Sequence, residues 1–129
     1  MARLMPSLVA APVALVLAVG CGGSGGAAVR EPTGRFTVVV GDFFMRPQQL
    51  SVPRGRLTLT VVNHGRIAHS FRVRAGKDPE AKEVLRISSL KPGASFTHSF
   101  RLAPGSYRMF DAIANHEELG AYGTLVVRR

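Results

Sequence analysis

A chain of 129 residues that is 46% apolar and carries its charges singly has the length and composition of one folded domain behind a leader, which excludes an intrinsically disordered protein. Seventeen basic against eight acidic side chains give a net charge of +9, and a surface of that sign favours anionic lipid headgroups or acidic partners. No helix-turn-helix, zinc finger or aromatic–basic RNA-reading strand occurs, so no nucleic-acid partner is expected.

In chain order the first feature is MARLMPSLVAAPVALVLAVGC, with one early charge, Arg3, and then an apolar run to Gly20. Pro6 and Pro12 interrupt the run, which is short for a spanning helix. Residues 1–20 read as an export signal. Ala18-Val19-Gly20-Cys21 resembles a bacterial lipobox, with alanine where leucine is usual three positions before the cysteine. That resemblance implies lipidation of Cys21 and anchoring to the cell membrane on its extracytoplasmic side. The alternative is an ordinary secretory signal with an incidental cysteine. A lone cysteine forms no internal disulfide, the commonest reason for an exported protein to keep one. Residues 21–34 then combine the anchor cysteine with the glycine-rich GGSGGAAVREPTG, a flexible tether.

The folded domain is expected over 35–129. FTVVV (36–40) is β-branched and strand-like, and QLSV (49–52) runs into the turn signal Pro53-Arg54-Gly55. RLTLTVVN (56–63) places Leu57, Leu59 and Val61 on one face, and HSFRVR (69–74) does the same with His69, Phe71 and Val73. DPEAKEVLRI (78–87) is the one segment with helical character. SFTHSFRL (95–102), SYRMFD (106–111) and YGTLVV (122–127) complete a set of seven to eight short strands. The pattern predicts an all-β, antiparallel Greek-key sandwich.

Two polar residues break the alternation. His69 opens a strand on the face of Phe71 and Val73, and Asp111 closes one on the face of Tyr107 and Met109. A carboxylate turned toward an apolar face is costly unless paired, protonated or metal-bound. His116, five residues on, can reach the same end of the sandwich.

TVVNHGRIAHSF resembles the cupredoxin strand in which an Asn and a Gly precede the first copper-binding histidine, here His69. Tyr107, Asp111, His116 and Gly120-Ala121-Tyr122-Gly123 follow the spacing of the cupredoxin ligand loop. The resemblance spans roughly residues 35–128, and it implies a plastocyanin- or azurin-like sandwich with His69 and His116 as ligands. Asp111 stands where the family has its cysteine, and Ala121 where it has the axial methionine. A thiolate stabilises Cu(I) and gives covalency suited to electron transfer, whereas two imidazoles and a carboxylate favour Cu(II) or Zn(II). A non-blue site holding or delivering copper at the cell envelope, or serving beside an envelope redox partner, is therefore expected. The alternatives are a metal-free interaction module in which Asp111 bonds a histidine, and an electron-transfer cupredoxin. Glu117, Glu118 and His98 are candidate outer partners of the site. Two histidines and a carboxylate also occur in non-haem iron oxygenases. No cosubstrate pocket, nucleophile elbow, phosphate loop or paired carboxylates accompany them here, so no catalysis is expected.

Overall fold

The computed structural model describes residues 27–129, so the expected signal, Cys21 and residues 22–26 of the glycine-rich tether lie outside the described residues. Ten strands run in chain order: β1 Val29–Arg30, β2 Arg35–Gly41, β3 Phe44–Arg46, β4 Gln49–Val52, β5 Gly55–Asn63, β6 His69–Ala75, β7 Glu83–Leu90, β8 Ser95–Leu102, β9 Gly105–Phe110 and β10 Tyr122–Val127. They form a six-stranded sheet, β1-β4-β10-β9-β6-β7, packed on a four-stranded sheet, β3-β2-β5-β8. Among the described residues there is no helix, and none long and apolar enough to cross a membrane.

The alternation seen in the sequence becomes the core. Val38, Val40, Leu57, Leu59 and Val61 face inward from one sheet, against Leu50, Phe71, Val73, Met109 and Leu125 from the other, all at most 1% exposed. Each such side chain contributes about 1.5–3 kcal/mol by leaving water, so the two inner faces dominate the stability of the sandwich.

Three expectations change. Residues 78–87 are not helical: Leu85 and Ile87 are buried at a spacing of two, and the strand they lie on pairs with β6. Tertiary pairing overrides the helix preference of Glu80-Ala81-Lys82-Glu83. The sandwich is mixed rather than purely antiparallel, because β2 pairs β5, β4 pairs β10 and β1 pairs β4 in parallel. The chain crosses to the other sheet for β4 before returning as β5, so it meets β2 running in the same direction. Val29–Arg30, within the expected tether, already pairs with β4, and Arg128 donates to the Glu31 carbonyl at 2.8 Å.

The ends of β2, β5 and β9 and the start of β6 meet at one end of the sandwich. The residues that interrupted the hydrophobic pattern gather there.

Candidate metal centre

His69 is fixed by the loop that precedes it. Asn63, fully buried at the end of β5, donates through Nδ2 to the carbonyls of Ile67 (2.9 Å) and Leu90 (2.8 Å). Its Oδ1 accepts from the Gly65 amide at 2.7 Å. Residues 64–68 are thereby folded back over the end of β2. A Cβ at Gly65 would collide with Asp42 Oδ1 and His69 Nε2, so only glycine permits this approach.

Asp111, immediately after β9, is fully buried. Its two oxygens have different duties. Oδ1 accepts from the Ser70 amide (3.0 Å), the Ser70 hydroxyl (2.7 Å) and the Ile113 amide (3.0 Å). Oδ2 faces His69 Nδ1 and His116 Nδ1, each at 2.7 Å. Burial pushes the Asp111 carboxyl up, but the hydrogen bonds from Ile113, Ser70, His116 and His69 outweigh it and hold the group below its ordinary value.

The loop carrying His116 is pinned on both sides. The Ala121 amide donates to the His116 carbonyl and the Asp111 amide to the Ala121 carbonyl, each at 3.0 Å, which draws the loop's two ends together. Gly120 holds a φ of +124° at that closure. Glu117 turns away from His116 and accepts from Arg74 and Arg108, both at 3.0 Å. Arg74 lies over the Phe110 ring and Arg108 over the Tyr122 ring, at 4.2 and 3.8 Å from the centroids. On the outside Phe43 meets His116 edge-to-face, with centroids 5.4 Å apart.

The three sequence-predicted ligands therefore converge: His69, Asp111 and His116 are all buried, and one donor atom from each lies within 4.8 Å of the others. The candidate outer partners do not. Glu117 is engaged by the two arginines, and Glu118 is exposed. His98 sits on β8, in the other sheet from His69, between Phe96 and Phe100 at 6.1 Å from each ring.

One residue escaped the sequence reading. Asp42, at the end of β2, places Oδ1 3.0 Å from His69 Nε2. It also accepts from the Arg66 amide at 3.0 and 3.2 Å. The hydrogen bond from His69 is the chief reason its carboxyl lies below the ordinary value. The only signal in the sequence was an aspartate at the strand end Gly41-Asp42. Its partner His69 stands 27 positions further along.

The donor set suits a divalent ion of intermediate hardness. It offers two imidazole nitrogens and one carboxylate oxygen, with the other Asp111 oxygen already occupied. The far nitrogen of His69 is tied to an outer carboxylate, as in histidine metal ligands generally.

The model of the cupredoxin-like domain family matches residues 11–127. Among solved structures the fold is similar to dithionite-reduced auracyanin from Roseiflexus castenholzii, with a TM-score of 0.68 and 18% identity over 75% of this chain and 98% of that one. It is also similar to auracyanin A, described as a "blue" copper protein of Chloroflexus aurantiacus, with a TM-score of 0.60 and 16% identity over 73% and 99%. A purple cupredoxin from Nitrosopumilus maritimus aligns with a TM-score of 0.54 and 20% identity over 70% and 97%. At these identities the structural likeness concerns the fold. No curated protein sequence matches. A family match over most of the length, on a sandwich that gathers two histidines at one end, places this chain in the cupredoxin-like domain family.

Proposed function

We propose that the domain binds a divalent metal ion, Cu(II) foremost and Zn(II) as the alternative, through His69 Nδ1, His116 Nδ1 and Asp111 Oδ2. The observation that carries this reading is the convergence of both Nδ1 atoms on a single carboxylate oxygen at 2.7 Å. When bound, copper at such a site would be non-blue and held as Cu(II), which suits holding or delivery better than rapid electron shuttling. The leader and Cys21 support placing this activity at the outer side of the cell membrane, on a lipid anchor. Phe43, Ile67 and Leu119, each 41–50% exposed, belong to the loops around the site and offer apolar contact to an envelope partner.

The test is a titration of the protein with Cu(II) and Zn(II), read by metal analysis and electron paramagnetic resonance. One ion per chain with a non-blue spectrum, lost in His69→Ala, is expected. No binding at micromolar metal would refute the proposal.

One more result follows from the contacts of His69 with its two carboxylates. Asp42→Asn should weaken metal binding by about 10–100-fold, the usual effect of losing an outer carboxylate, with the coordinating atoms unchanged by electron paramagnetic resonance.

A second reading has its own support. Without metal, the Asp111 carboxylate already faces five donors and Asp42 closes the far side of His69. A metal-free domain using this cluster to fasten its end, and acting as an interaction module, is the outcome if the titration fails.

A further inference from the structure

The arginines are distributed differently on the two sheets. On the six-stranded sheet Arg72 and Arg86 pair with Glu83, and Arg74 and Arg108 pair with Glu117, leaving Arg30 of the edge strand β1 as the one strand arginine there with no ion pair among the described residues. The four strands of the other sheet contain no aspartate or glutamate, yet each carries one arginine: Arg35, Arg46, Arg56 and Arg101. All four are exposed, and among the described residues none has an acidic partner within ion-pair distance. They point outward, because their neighbours Phe36, Met45 and Leu57 are buried and Arg101 stands directly opposite Arg56.

That last pairing is unfavourable for folding. Like charges directly opposite on adjacent strands destabilise a sheet, and Arg35 adds a third guanidinium one row away, on the neighbouring strand beside Thr58. Between these charges the outer face is paved with hydroxyls. Thr58 bonds Ser99 and Thr60 bonds Thr97, each at 3.0 Å. The hydroxyls leave lone pairs and donors for a polar ligand, and guanidinium groups bind phosphate through paired hydrogen bonds.

We propose that this outer face of β3-β2-β5-β8 docks on an anionic phospholipid surface. A flat two-dimensional array of guanidinium and hydroxyl groups complements a flat array of phosphates. Single-stranded nucleic acid stacks on a row of aromatics, whereas the strands of this face offer one, Phe44, with Arg46 over its ring at 4.9 Å, since Phe96, His98 and Phe100 share the side of the sheet that carries Leu57, Leu59 and Val61. The arrangement has a geometric consequence. Arg35, Arg56 and Arg101 cluster near the start of β5, roughly 20–25 Å along the strand from the His69–Asp111–His116 end, whereas Arg46 stands opposite Val39, in the row of Val62 beside that end. A domain docked flat on this face lays its strands along the bilayer, with the His69–Asp111–His116 site opening at the end of the sandwich beside the docked face.

The experiment uses the full chain carrying Cys21→Ser, which removes any lipid attachment. Partition onto phosphatidylcholine vesicles is compared with partition onto equimolar phosphatidylcholine and phosphatidylglycerol, and the difference cancels any contribution of the apolar leader. Anionic vesicles should be preferred, with the preference falling as salt is raised. Arg35→Gln, Arg56→Gln and Arg101→Gln together should reduce it by about 100-fold, each arginine near an anionic surface contributing about fivefold. Lys77→Gln, Lys82→Gln and Lys91→Gln together remove the same charge from positions outside this sheet, and should reduce it far less. Thermal melts verify folding, and Arg101→Gln alone should raise the midpoint by relieving the opposed pair. Equal losses in the two triple variants, or no preference for anionic vesicles, would overturn the proposal. So would arginine-dependent binding to dextran sulfate without binding to vesicles, which would assign the face to a soluble polyanion.

Discussion

Asp111→Ala is expected to abolish metal binding and to lower stability by about 3–5 kcal/mol, the cost of removing one partner from a buried charged network. Alanine removes the acceptor of the Ser70 and Ile113 amides, of the Ser70 hydroxyl and of both imidazoles at once. Urea unfolding of the metal-free proteins measures the second effect separately from the first. Its pH dependence has a definite sign. The folded Asp111 carboxyl ionises below its ordinary value of 3.8, so its contribution is complete above about pH 4 and fades as pH falls through the folded value. The gap between wild type and Asp111→Ala should therefore be full at neutral pH and narrow in strong acid. A gap that stays constant into strong acid would show that the carboxylate's charge is not its source.

The second large effect is spectroscopic. Asp111→Cys puts a thiolate where the carboxylate oxygen now faces His69 Nδ1 and His116 Nδ1, giving the donor set of a blue-copper site without its axial ligand. The Cu(II) form should gain an intense visible thiolate-to-copper absorption that wild type lacks. Adding Ala121→Met supplies the axial thioether, but Ala121 is fully buried, and overpacking there should cost about 1–3 kcal/mol. The single variant is accordingly the cleaner measurement. If the Asp111→Cys variant binds Cu(II) with only weak absorption, the two imidazoles do not hold the ion beside position 111.

Both predictions rest on residues that local pattern exposed. His69 and Asp111 were legible because strand side chains alternate, so a polar residue on the apolar face of a short strand stands out. His116 was legible only through its spacing in the loop, since a loop has no period of its own. Asp42 was not legible, although it touches His69 as directly as Asp111 does. The Arg74–Glu117–Arg108 clamp was hidden in the same way, and Glu117 looked like a partner of the site because it adjoins His116. The strand Glu83–Leu90 was obscured by helix-forming residues whose preference is weaker than pairing with β6.

The all-β class, the inward face of most strands and the polar residues at the strand ends can be read from residue type and short spacing alone. Which sheet each strand joins, which neighbours run parallel and which oxygen of Asp111 is left for the histidines emerge only when the strands are assembled. So does the absence of ion pairs for the arginines of the four-stranded sheet. These depend on crossovers and register between segments tens of residues apart, and side-chain periodicity carries no information about either.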